Sequence, residues 1–290
     1  MKKINMLTFY VLILLIPTFI IASPITLIYH AEDNDLDARK YYEIELLRLA
    51  LDKTKDKYGE YKLIPSKKMT ITRAVYNLKE NKIKNFILKN SVKNNLLNEF
   101  SFSNFPVDRG IVGYRVSFIS PQMKEKIHNI KSLEELKTLK FAQGVGWLDT
   151  NILKSNGFNV SMIANYSSFF HMITLNRIDL FPRGINEILA EYKTYKYLKK
   201  LDYDRTFALY YPLPRFFFMN KKNEKITKRI EEGLKIGFYD GSINKLFEKY
   251  YQPSIDFVNM KQRKIYKIDN PFLKGIDKSY EKYNYPFLIK

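Results

Sequence analysis

Two rhythms of apolar and polar residues alternate along this chain: short unbroken apolar runs, and longer stretches in which apolar residues recur every three or four positions. The first rhythm marks buried strands, the second helices with one apolar face. ITLIYHAED, residues 25–33, opens as an apolar run and ends in the polar turn AEDNDLDA, predicting a strand and a loop. Helical spacing follows in RKYYEIELLRLALDKTKDKYG, where Tyr42, Leu46, Leu49 and Ala50 share a face and Gly59 ends the segment. YKLIP predicts a second strand, TITRAVYNLKENK a helix capped by Thr70 or Thr72, and KNFILKN a third strand. Strand, helix, strand, helix, strand is the order that builds a parallel sheet with helices on its faces.

The same alternation returns further on. GIVGYRVSFIS, residues 110–120, predicts a strand; SLEELKTL predicts a helix with Ser132 as N-cap and Glu135 closing a capping box. KFAQGVG runs as a strand into WLDTNILKSNGF, a helix starting near Asp149 or Thr150 and closed by Gly157. NVSMIANY, then SFFHMITLNR as helix, IDLFPRG as strand and INEILAEYKTYKYLKKL as helix complete a second α/β unit. LYYPLPRFFFMNKK, residues 209–222, predicts one aromatic strand, with Phe216, Phe217 and Phe218 in the core. A helix, a DGS turn and a final short helix follow, and the tail beyond Pro253 is expected to pack across one lobe as irregular structure. No repeat or flexible tract separates the two units, so strands are expected to join them.

The first residues change the picture of where this chain works. Lys2 and Lys3 precede an apolar run from about Met6 to Ala22 that ends in the small residues Ala22 and Ser23, the layout of a secretory signal. Cleavage there starts the mature chain near Pro24; an uncleaved anchor is the alternative, the run falling just short of the roughly 20 residues of a spanning helix. The absence of Cys excludes a lipid-modified cysteine, a disulfide framework, a thiolate nucleophile and a Cys-ligated metal. The formal charge of +19 comes mostly from dispersed lysines without a nucleic-acid motif among them. It reads as solvated surface, with nucleic acid not expected as a partner.

Taken in order, LIYHAEDNDLDARKYYEIELLRLAL, RGIVGYRVSFI, QGVGWLDTNILKSNGFNV, LNRIDLFPRGINEILAEY, YYPLPRFFFMNK and GLKIGFYDGSINKLFEKYY resemble the extracellular solute-binding proteins of family 3. The class includes polar amino acid receptors of ABC importers, and the resemblance covers nearly all of residues 25–250. It implies a type II periplasmic-binding clamshell: two lobes, each a mostly parallel sheet flanked by helices, linked by crossing strands at about 112–119 and 214–220. Lobe 1 is then 24–116 with 216–290, and lobe 2 is 117–215. It further implies a periplasmic monomer that closes on a small polar solute without a cofactor and is recognised by a membrane permease. A sensor that presents its closed state to a membrane kinase or cyclase uses the same clamshell.

Candidate ligand-binding residues follow from the cleft such lobes enclose. In GVGWLDT, Gly144 and Gly146 permit close backbone approach, the helix start offers amides to a carboxylate, and Trp147, Asp149 and Thr150 stand beside them; an ordinary turn with Asp149 as cap is the alternative. Arg115 and Arg183 lie in apolar strands, where an arginine needs either a ligand or an internal partner; for Arg115 that partner is Asp108 or Glu99. Arg73 points into the cleft or to a surface carboxylate. Tyr29, Glu32 and Asp33 line the cleft or sit in a solvated turn, and Tyr114 is a second stacking candidate. Where the amino acid receptors carry an arginine this chain has Asn94, Asn95 and Leu96, and where they present an aspartate it has Arg183, which points away from a standard α-amino acid to an anionic or heavily hydroxylated solute. His30, His128 and His171 are too dispersed for a metal site, and no catalytic motif is present. A small-acid dehydratase using Glu32, Asp33 or Glu187 is the lesser alternative.

Overall fold

The computed structural model describes residues 23–31 and 39–286, the side chains of Arg39 and Lys40 excepted. The signal-like segment, Glu32 and Asp33 lie outside the described residues. The first unit comprises β1 (Ile25–Tyr29), α1 (Arg39–Asp52), α2 (Lys55–Tyr58), β2 (Tyr61–Pro65), α3 (Ile71–Lys79), β3 (Phe86–Ser91), α4 (Asn94–Glu99) and β4 (Ser101–Phe102). The second comprises β5 (Tyr114–Ile119), α5 (Lys124–His128), α6 (Leu133–Lys137), β6 (Lys140–Gly144), α7 (Leu148–Ser155), β7 (Asn159–Ile163), α8 (Tyr166–Thr174), β8 (Phe181–Gly184), α9 (Ile185–Tyr195), β9 (Asp202–Tyr203) and β10 (Phe207–Tyr210). The chain continues through β11 (Arg215–Met219), α10 (Glu224–Tyr239), α11 (Ser242–Val258) and β12 (Lys264–Lys267).

The first sheet runs β2-β1-β3-β11-β4, with β1 parallel to β2 and β3 and with β11 antiparallel to β3 and β4. The second runs β12-β10-β5-β8, with β9 also on β5 and the parallel pair β6–β7 joined through a bridge from Phe141 to Leu180. Antiparallel pairs dominate the second sheet, because β5 meets β8 and β10 head to tail. It is therefore mixed, where the resemblance implied a mostly parallel lobe.

Local chemistry explains much of this. Thr70 caps α3 by accepting from the Arg73 amide, and Ser132 caps α6 by accepting from the Glu135 amide at 3.1 Å. Along α1, Tyr42, Leu46, Leu47, Ala50 and Leu51 are buried at helical spacing; the helix packs on α10 and, through Tyr42, on Phe247 and Tyr251 of α11. The contact with α10 is close: a Cβ on Gly233 of α10 would sit 1.9 Å from the Ala50 carbonyl oxygen, so only glycine fits.

Three expectations need correction. Residues 209–222 do not form one strand: Pro212 and Pro214 remove ladder donors, so β10 stays in the second sheet and β11 joins the first. The crossings are accordingly 103–113 and 211–214, with β5 and β11 belonging to the sheets themselves, and Phe216, Phe217 and Phe218 buried in β11. Pro253 does not end the last helix; α11 runs 17 residues through it and stops at Asn259, whose φ is 46°.

The tail is neither irregular throughout nor confined to one lobe. β12 pairs in parallel with β10, Phe207 opposite Lys264, because β10 leaves an edge open there. Beyond it Asn270 donates to the Pro212 carbonyl at 2.8 Å, and Leu273, Tyr280 and Tyr283 bury themselves against the first unit. Helix α11 also touches both units, packing on α1 and α10 and on α9. The tail is thus a third chain crossing beside the two that join the sheets.

Candidate functional site

Between the two sheets lies a cleft of about 690 Å³ lined from both sides. A second concavity follows the outer face of α10 and is lined by residues 228–240 alone, so no second element converges on it.

The second-lobe wall is a buried ion-pair network. Strand pairing sets Arg115 on β5 opposite Gly184 on β8 and Arg183 opposite Val116, and both guanidiniums reach Glu187 at the start of α9. Arg115 is 1 % exposed and reaches Asp149 at 2.6 Å and Glu187 at 3.6 Å. Arg183, 4 % exposed, meets Glu187 at 3.1 Å and Glu191 at 2.7 Å. Burial is the largest influence and opposes both charges, but Asp149, Tyr211 and Glu187 together outweigh it at Arg115, and Glu187, Glu191 and Tyr166 together outweigh it at Arg183; both guanidiniums are held above their ordinary pKa. The Tyr211 hydroxyl donates to Asp149 at 2.5 Å, and its own pKa is driven up by burial. Glu187 is the hub: besides Arg115 and Arg183, and Arg215 at 3.9 Å, it meets the Gly184 amide, from which it accepts at 2.8 Å and which fixes it at the start of α9.

Arg115 therefore has an internal partner, but Asp149 and Glu187 rather than Asp108 or Glu99. Asp108 faces Arg215, and Glu99 pairs with Lys79.

The first-lobe wall is built differently. The first turn of α3 brings Thr70, Ile71 and Thr72 to the cleft, and the end of β3 brings Asn90, Ser91 and Lys93. Register on β11 sets Arg215 directly across from Ser91. The Arg215 guanidinium has no hydrogen-bond partner among the described residues; its nearest carboxylates, on Asp108 and Glu187, stand 3.6 and 3.9 Å away. Lys93 likewise has no partner among them. Helix amides of Ile71 and Thr72 on one side, and of Leu148 and Asp149 on the other, start their helices without an intrahelical acceptor.

The residues singled out from the sequence divide accordingly. Arg115, Arg183, Gly146, Trp147 and Asp149 line the cleft. Gly146 has φ 79°, which turns the chain into α7. Gly144 does not line it: a Cβ there would lie 2.3 Å from the Trp147 ring, so its role is to let the indole fold back. Thr150 is buried and donates to the Gly144 carbonyl at 2.9 Å, bracing the same turn. Arg73 is exposed and absent from the lining, because its neighbours Thr70, Ile71 and Thr72 take the cleft side of the helix start. Tyr29 packs against the core, and Tyr114 packs at a tilt on Tyr210, ring centroids 4.4 Å apart. His30 bonds the Met69 carbonyl, while His128 and His171 are exposed.

Sequence reasoning missed Arg215, Ser91, Lys93 and Asn186. The last lines the cleft 7 % exposed with both polar amide atoms unpartnered. Arg215 follows Pro214 directly, and a chain break at that proline pair was the available signal that it faces a cleft rather than continuing a strand.

No protein-family model matches the sequence, and no curated protein matches it. Solved structures do. An ancestral arginine-binding protein bound to arginine aligns over 78 % of this chain and 98 % of its own, with TM-score 0.57 and 19 % identity. An amino acid ABC transporter substrate-binding protein from Streptococcus pneumoniae bound to L-arginine aligns over 78 % and 94 %, with TM-score 0.57 and 14 % identity. An ancestral amino acid-binding protein described as a precursor of cyclohexadienyl dehydratase aligns over 78 % of this chain and 95 % of its own, with TM-score 0.57 and 17 % identity. The fold is that of two-lobed amino acid-binding proteins of ABC transporters, with no closed barrel.

Proposed function

We propose that this protein captures a small polar solute between its lobes, in the periplasm, for delivery to an ABC-type membrane permease. The observation that carries the reading is the two-walled cleft, in which Arg215, Ser91 and Lys93 face the start of α7 across about 690 Å³. That volume suits a solute of amino acid size or somewhat larger. An anionic group fits best: Arg215 and Lys93 are the lining cations with donors to spare, and two helix starts add oriented amides. Solved structures of this fold bound to arginine, one of them an ABC transporter substrate-binding protein, support solute binding. Binding without chemistry is the better reading, since Asp149, Glu187 and Glu191 are each engaged by arginine in the manner of a structural network.

Thermal melting of residues 24–290 against amino acids, di- and tricarboxylates, sugars, sugar acids and polyamines tests this. A solute at about 100 times its Kd adds roughly 2.7 kcal/mol. A saturable shift confined to anionic solutes is expected. A shift with polyamines or neutral sugars alone refutes the anion, and turnover of a small acid without any shift refutes binding as the function.

A further inference from the structure

The second-lobe wall holds its own cation in the geometry of a ligand site. The Arg183 guanidinium carbon lies 5.0 Å from the Trp147 ring centroid, 5.6 Å from Tyr166 and 5.2 Å from Phe181. Nε reaches the two Glu191 oxygens at 3.1 and 2.9 Å, a second nitrogen reaches Glu191 at 2.7 Å, and the Glu187 carboxylate stands 3.1 Å from that nitrogen. Aromatic faces around a planar cation, with a carboxylate meeting two of its nitrogens, are the elements by which proteins recognise a free guanidinium. Trp147, Tyr166, Glu187 and Glu191 all line the cleft as well. The cage is therefore open to the cleft on one side and filled from the other by the chain.

We infer that Arg183 is an internal ligand: it occupies a guanidinium site of the cleft and thereby excludes solutes with cationic side chains. The inference rests on reading the cleft as the solute site. A solute cation entering along this wall meets a positive group where the carboxylates would otherwise receive it, a repulsive element that discriminates by charge. Removing the Arg183 side chain leaves two carboxylates and three rings around a void shaped for the missing group.

The test is to melt wild type and Arg183→Ala with methylguanidinium, methylammonium and L-arginine. The variant is expected to melt well below wild type, to gain a saturable rise with methylguanidinium and L-arginine, and to respond about tenfold more weakly to methylammonium, which cannot meet Glu191 with two parallel donors. Wild type is expected to respond to none of the three. Equal responses of variant and wild type, or of both cations in the variant, overturn the inference. Should the alanine variant fold only with methylguanidinium present, that rescue supports it. Arg183→Gln, which keeps a donor for Glu191, is measured in parallel, and absence of guanidinium stabilisation in both variants overturns it. The readout uses no native solute: guanidinium rescue together with a wild type that binds no solute would sink the transport reading alone, and solute binding without rescue would sink this inference alone.

Discussion

The two walls of the cleft carry similar charged residues and use them in opposite ways. On the second-lobe side, Arg115 and Arg183 are closed into a buried network with Asp149, Glu187 and Glu191. On the first-lobe side, Arg215 stands 3.6 Å or more from its nearest carboxylates and Lys93 pairs with nothing described. An arginine in a cleft is therefore a ligand group only to the extent that the chain has left its donors unspent. Buried arginines with well-placed carboxylates are structural, because breaking such a pair strands a charge away from water.

Four experiments press on that contrast. The largest effect is expected from Glu187→Ala, which strips the shared partner of Arg115 and Arg183 and the acceptor of the Gly184 amide. Urea unfolding is expected to show a loss of about 3–5 kcal/mol, or no folded protein at all. A loss below 1 kcal/mol would mean that the network is not what holds the wall. Tyr211→Phe removes one buried donor to Asp149 and is expected to cost about 1.5–3 kcal/mol in the same measurement.

Arg215→Lys keeps the charge that buried Asp108 faces but loses the planar fork. Its melting temperature without solute is expected to stay near wild type, while calorimetry with the solute found in the screen shows about tenfold weaker binding, or roughly 1.4 kcal/mol. A stability loss like that of Glu187→Ala would erase the difference between the walls. Smallest is Lys93→Ala: solute affinity is expected to fall about threefold at low salt and hardly at all at high salt, with stability within about 0.5 kcal/mol.

Much of the fold was legible in the chain. The order of elements, the caps at Thr70 and Ser132, the buried stripe of α1 and the turn after Gly144 all follow from local spacing and composition, since the groups involved lie within a few residues of one another. Arg115 and Arg183 were recognised as costly in apolar strands for the same reason. Their partners were not legible. Asp149 at the start of α7 reaches Arg115 on β5 from a separate element of the second unit, and Glu191 reaches Arg183 because α9 packs back on β8.

Where local rules competed, tertiary context decided. The proline pair at 212 and 214 marked a break that an aromatic run obscured, and it took pairing with two different sheets to separate β10 from β11. β12 has the composition of a polar tail, yet the open edge of β10 makes it a strand, because unpaired ladder groups gain partners there whatever the intrinsic preference of the segment. The sequence by itself determined most of the elements up to the proline pair at 212 and 214, the absence of thiol chemistry and the charge of the residues available to a cleft. Which of those charges remain free for a solute was decided by the tertiary structure: Arg183 has its carboxylates four and eight residues away, but Arg115 with Asp149 and Arg215 with Asp108 are contacts between distant parts of the chain, whose distance and burial no local pattern encodes.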